Sequence, residues 1–128
     1  MDKAELLMRT KSFALRILKL VDRLPRTTSG RAIGNQLVRS GTSIGANYRA
    51  ACRSRSRAEF AAKLGVVAEE ADETLYWLEL IRDGALIPAN KIEQLLTEAD
   101  ELTAIFTAGR RTSRANQTSS IKRQTFST

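Results

Sequence analysis

Residues 29–53 read SGRAIGNQLVRSGTSIGANYRAACR, and this run decides the fold class. At about 100° per residue, Ile33, Leu37, Ile44, Tyr48 and Ala51 fall within an arc of about 60°, the apolar stripe of an amphipathic helix. Arg31, Arg39, Arg49 and Arg53 occupy an arc of about 80° on the opposite side. Gly34, Gly41, Gly45 and Cys52 form a third line, of small side chains that permit close approach of another backbone. Each helical glycine costs roughly 1 kcal/mol relative to alanine, so tight packing is the compensation expected. Whether the partner helix belongs to the same subunit is not readable from the sequence.

Working outward, three further helices emerge. The first runs from Lys3 to about Arg23, with Leu7, Ala14, Ile17, Val21 and Leu24 at helical spacing and Leu6, Phe13 and Leu20 widening the stripe. Pro25 stops it, and Thr27, Thr28 and Ser29 supply N-caps for the second. The third opens on Ser56-Arg57-Ala58-Glu59, a capping box. Its core face is Phe60, Leu64, Val67, Ala71, Leu75 and Leu78, and it ends near Asp83, with Gly84 able to take a left-handed position. The fourth starts at Pro88, buries Ile92, Leu95, Leu96, Ala99, Leu102 and Phe106, and is expected to stop at Gly109. Four amphipathic helices with short connections predict an all-α, antiparallel up-down four-helix bundle over residues 1–109. Three long helices with one shorter element is the alternative. Residues 110–128, rich in Ser, Thr, Gln and Arg, carry too little apolar surface for a core and read as a disordered basic tail.

The chain has 128 residues, no histidine and one cysteine. That removes the commonest general base and metal ligand and any internal disulfide or thiolate zinc site. The carboxylates Glu69, Glu70, Asp72 and Glu73 lack the histidines that a di-metal bundle uses. No enzyme, metal or cofactor is expected, and Cys52 reads as a small half-buried residue. With no signal peptide and no apolar run of about 18 residues, the expected compartment is the cytoplasm, with no membrane contact.

The net charge is +7, unevenly spread. Residues 28–57 hold six arginines and no acid, residues 58–87 hold two basic and seven acidic side chains, and residues 110–128 hold five basic and none acidic. Arginine forks suit phosphate, which makes Arg31, Arg39, Arg49, Arg53, Arg55 and Arg57 the candidate nucleic-acid-binding residues. The opposing explanation is a solvated face, or pairing with the acidic third helix. Aromatics are only 5% of the chain, so a base-stacking platform is not expected; binding would be to backbone and shape. On the third helix Ala62, Val66, Trp77 and Leu80, with Glu73 among them, lie away from the core face. Val66, Glu73, Trp77 and Leu80 are therefore the candidate oligomer interface.

Gln36-Leu37-Val38-Arg39-Ser40, Ser43-Ile44-Gly45-Ala46-Asn47, Ser56-Arg57-Ala58-Glu59-Phe60 with Lys63-Leu64, and the run Ala68 to Leu78 together resemble the four-helix-bundle proteins encoded in intervening sequences of large-subunit (23S) ribosomal RNA genes. The resemblance covers about residues 6–108. It implies similarity in fold to the accessory proteins of diversity-generating retroelements: basic homo-oligomers, barrel-shaped pentamers, that bind RNA or DNA and a reverse transcriptase. The chain departs from the pattern after Asn47. There the family often has an acidic residue and a glycine, and this sequence reads Tyr48-Arg49-Ala50-Ala51-Cys52-Arg53, a more basic surface. Pure protein-interaction scaffolding is the competing function.

Overall fold

Each of the first three helices starts on a residue whose side chain satisfies an otherwise unpaired backbone N–H. Asp2 Oδ1 accepts from Glu5 N at 2.8 Å, Thr27 Oγ1 from Gly30 N at 3.1 Å, and Ser56 Oγ from Glu59 N at 3.1 Å. The helices so defined are α1 (Lys3–Val21), α2 (Thr28–Ala51) and α3 (Arg57–Asp83); a single 3-10 turn, Ala89–Lys91, then leads into α4 (Glu93–Phe126). The computed structural model describes the backbone of residues 1–126 and the side chains of residues 1–116; among them there is no strand. The capping box at Ser56 is only half formed: the Glu59 carboxylate accepts from the N–H of Arg55, at 3.1 Å, rather than from the cap residue.

Helices adjacent in sequence pack against each other, giving the up-down order, and α1 meets α4 most loosely. α1 therefore sits diagonally opposite α3. The core runs through Phe13, Ile17, Leu37, Ile44, Val67, Leu78, Leu102 and Phe106, all essentially without solvent contact, each worth about 1.5–3 kcal/mol of burial. The expected faces of α3 and α4 are the buried ones, with Phe60 and Leu75 half-buried. On α1 the stripe is rotated toward Thr10, Phe13 and Leu20, leaving Leu7, Ala14 and Val21 half-buried. Buried Thr10 satisfies its own hydroxyl by donating to the Leu6 carbonyl at 2.8 Å.

The glycine line of α2 packs on α1 of the same chain. A side chain at Gly34 would meet Leu24 and Val21 at 3.3 Å, one at Gly45 would meet Thr10 at 3.3 Å, and one at Gly41 would meet Ile17 at 3.0 Å. Across the other seam the Ser40 and Thr74 hydroxyls lie 2.9 Å apart, both fully buried.

Three boundaries differ from expectation. Gly84 closes α3 in right-handed conformation, φ −81°; the left-handed residue is Ala85, φ 54°. Its N–H bonds to Arg82 O at 3.1 Å and that of Leu86 to Ile81 O at 3.0 Å, a Schellman motif with alanine at the left-handed position. Gly84 serves another need, since a Cβ there would lie 2.8 Å from the Leu80 carbonyl oxygen. Pro88 precedes the 3-10 turn and not α4 itself. Finally, Gly109 does not stop α4, which continues through it to Phe126, so the segment expected as a disordered tail begins as helix. The reason is packing: Gly109 faces Leu64, and Arg110 lies across Gly65, so α3 still supports α4 at this point. The side chains of residues 117–128, which include the tail cations Lys122 and Arg123, lie outside the described residues.

Candidate nucleic-acid interface

The arginine face of α2 does not stay one strip once the neighbours are in place. Arg39 turns to α3, donating to Glu70 at 3.2 Å and to Glu73. The hydrogen bond it donates to Glu73 chiefly, opposed by desolvation and aided by the charges of Glu70 and Glu73, raises its pKa. Arg31, about 33 Å from Arg53 at helical rise, borders a cavity of about 340 Å³ beside Arg26 and Asn35 at the α1–α2 turn. Arg49 flanks a groove of about 410 Å³ between α1 and α2, floored by Gly45 and Thr10.

Beyond Arg49 the cations converge. Arg53 is exposed where α2 ends, and Arg55 and Arg57 line a cavity of about 440 Å³ with Lys3, Ser54 and Tyr48. The start of α1, the end of α2 and the start of α3 meet at this corner because the bundle is antiparallel. The side chains of Arg31, Arg49, Arg53, Arg55 and Lys3 have no carboxylate partner among the described residues. The buried Ser54 hydroxyl lines the cavity without a hydrogen-bond partner among the described residues. Burial first, then the hydrogen bond with Cys52, pushes the Tyr48 phenol up to about 12, so it is neutral near physiological pH. Donors are thus plentiful at the corner, and the acids nearby are engaged: Glu59 by the Arg55 N–H and by Lys63 at 3.8 Å, and Asp2, whose charge reaches Tyr48, by the Glu5 N–H. This arrangement suits an oxyanion.

Of the candidate interface residues on α3, Val66 is exposed, while Trp77 and Leu80 are half-buried and Glu73 is bonded to Arg39. Trp77 packs against the core, with its indole N–H buried and unbonded among the described residues and Tyr76 edge-on at 5.3 Å. Sequence reasoning missed Tyr76, 54% exposed, and a patch on α1 formed by Met8 (74%), Leu15 (53%) and Leu18. A helical projection of α1 carries the signal, since positions 8, 15 and 18 lie opposite Phe13 and Leu20. It also missed Arg9, which bridges α1 to α4 through Glu98 at 2.6 Å and Glu101.

Among the described residues no group of His, Cys, Asp and Glu is arranged to hold a metal ion, and no helix is long and apolar enough to cross a membrane. A family model, the 23S rRNA-intervening sequence protein, matches residues 2–108. The chain belongs to that family. A crystal structure at 1.70 Å of a protein of unknown function from the S23 ribosomal protein family of Bacteroides thetaiotaomicron is similar, with 33% identity and a TM-score of 0.79 over 87% of this chain and 99% of that one. A search of curated proteins finds no match. As a member of the intervening-sequence family the chain keeps the bundle over the matched residues, and α4 extends beyond them.

Proposed function

We propose that this protein is a non-enzymatic homo-oligomer of the cytoplasm that binds structured RNA or DNA through the phosphate backbone. The observation that carries this reading is the α2–α3 corner, where Lys3 and Arg55 line one cavity, with exposed Arg53 next to it in the chain and Arg49 on the neighbouring α1–α2 groove, all four without carboxylate partners among the described residues. Contacts of this kind are sequence-independent and salt-sensitive. Assembly is supported by the apolar patches of α1 (Met8, Leu15, Leu18) and α3 (Val66, Tyr76). They sit on diagonally opposite helices and face away from each other, so joining them between copies makes a head-to-tail contact, the kind that closes into rings. A pentamer is the size that the family resemblance implies. In a ring the corner repeats once per subunit, and weak contacts add through multivalency.

The competing reading, a scaffold whose charges serve packing, draws on the capture of Arg39 by Glu70 and Glu73. Binding of a labelled RNA hairpin at low and at moderate salt separates them. Tight binding that falls steeply with salt supports the nucleic-acid reading, and absence of binding at low salt supports the scaffold.

A further inference from the structure

At the opposite end of the bundle, the last turns of α1 and the approach to α4 enclose a cavity of about 310 Å³. Its walls are Arg16, Lys19, Arg23 and Lys91, with the carboxamides Asn90 and Gln94. The two segments are far apart in sequence and come together only because the fourth helix returns beside the first. Four cations surround one space, and no acid among the described residues lines it. The buried side chains Leu20 and Leu95 form its floor.

The acids nearby are turned elsewhere. Asp22 lines the cavity on the far flank of α1. Glu98 feels the charge of Arg16 but is already hydrogen-bonded by Arg9. Glu93 lies close enough to Arg82 to act on it. Arg16, Lys19, Arg23 and Lys91 make no ion pair among the described residues. Cations near a helix C-terminus complement its dipole, which accounts for Lys19. It does not account for Lys91, Asn90 and Gln94, which come from the other segment and add donors to the same space. Gathered like charges repel unless an anion joins them, and ammonium, guanidinium and amide donors around a small cleft match the several acceptor oxygens of a phosphoryl group.

We propose that this α1–α4 cleft is a phosphate-binding site, separate from the α2–α3 corner and independent of whether that corner binds nucleic acid. The phosphate comes either from a nucleic-acid backbone or from a free small polyphosphate.

The test is a titration of the full chain with inorganic pyrophosphate at low salt, followed by amide chemical shifts, with sodium chloride at matched ionic strength as control. Saturable shifts at residues 16–23 and 89–95 are expected, separate from any that the α2–α3 corner shows at residues 49–57. The variant Arg16→Gln/Lys91→Gln should weaken binding at least about tenfold, as expected when one or two charge-assisted hydrogen bonds are removed. Arg53→Gln/Arg55→Gln should leave the titration of the shifts at residues 16–23 and 89–95 unchanged. Both changes keep good helix formers or polar turn residues and spare the core, and the wild-type shift map reads the site independently of either variant. Shifts at residues 16–23 and 89–95 that are absent, that do not saturate, or that persist in Arg16→Gln/Lys91→Gln would overturn the proposal. If an RNA hairpin displaces the pyrophosphate and the Arg16→Gln/Lys91→Gln variant also loses RNA affinity, the phosphate belongs to nucleic acid. If RNA leaves the pyrophosphate in place, the ligand is the free polyphosphate.

Discussion

Arg39 of α2 donates its guanidinium to the Glu73 carboxylate of α3. That interaction, with the companion one to Glu70, turns the middle of the arginine face into a fastening between helices. Phosphate would have to compete with two carboxylates already in place. Replacing Arg39 with Gln should therefore leave RNA affinity within about twofold of wild type, since the guanidinium is already committed. The melting temperature should fall slightly. Fluorescence anisotropy and a thermal melt on the same variant read both, and a drop in affinity as large as that of Arg49→Gln would show that Arg39 touches ligand after all.

The α1–α2 seam depends on the missing side chain at Gly41. A Cβ there meets the two γ carbons of Ile17 at 3.0 Å, and Ile17 is fully buried, β-branched and unable to swing away. Overpacking of this kind costs about 1–3 kcal/mol, against about 1 kcal/mol gained in helix propensity. Gly41→Ala should therefore destabilise the protein by about 1 kcal/mol in urea unfolding. In an Ile17→Ala background the same change should cost less, the signature of direct interaction in a double-mutant cycle. Equal costs in both backgrounds would place the strain elsewhere.

The α1–α4 seam has an acid-sensitive fastening. The hydrogen bond from Arg9 first, then the charges of Arg9 and Arg16, hold Glu98 below its ordinary value of 4.5, against the opposing effect of burial. A carboxylate depressed by folding adds stability that is fully present above the ordinary value and is lost as pH falls through the folded one. Both side chains keep some solvent contact, 22% and 16% of their surface, so screening holds the contribution to about 1 kcal/mol. Glu98→Gln should melt below wild type at neutral pH, and the gap should close as pH drops below about 4.5. A gap independent of pH would mean that the substitution acts through packing alone.

Much of this architecture is legible in the sequence, and the parts that are not have physical causes. Stripes such as Leu37–Ile44–Tyr48 and Ile92–Ala99–Phe106 report burial directly, because a helix must hide one face. Ser56 and Thr27 mark helix starts because the unpaired N–H groups there need an acceptor. Ends are harder to read. Gly84 and Gly109 look like stops, yet one is set by its approach to the Leu80 carbonyl and the other is held in helix by α3. The candidate site is read less well than the fold. Arg39 and Arg49 share a face on an isolated helix, and only the neighbouring helices send one to Glu73 and the other toward α1. The cleft between Arg16 and Lys91 joins residues that no local pattern connects.

The outward patch of α1 gives assembly its own test. Leu15 is exposed and points away from the core, so Leu15→Glu should leave helical content and melting temperature near those of wild type. If α1 meets α3 of the next copy, the same variant should shift the mass by light scattering from a multiple of 14.2 kDa toward the single chain. Mass unchanged by Leu15→Glu and by Tyr76→Glu would remove these patches from the interface.

The central claim is that the α2–α3 corner holds phosphate backbone, and the salt dependence of RNA-hairpin binding tests it most directly. Wild type should bind in low salt and weaken steeply as salt rises, with log affinity linear in log salt. Arg49→Gln/Arg53→Gln/Arg55→Gln should bind more weakly to every sequence tried, with the slope flattened by roughly one unit for each phosphate no longer neutralised. An unchanged slope in that variant, or no binding by wild type at low salt, would contradict the account.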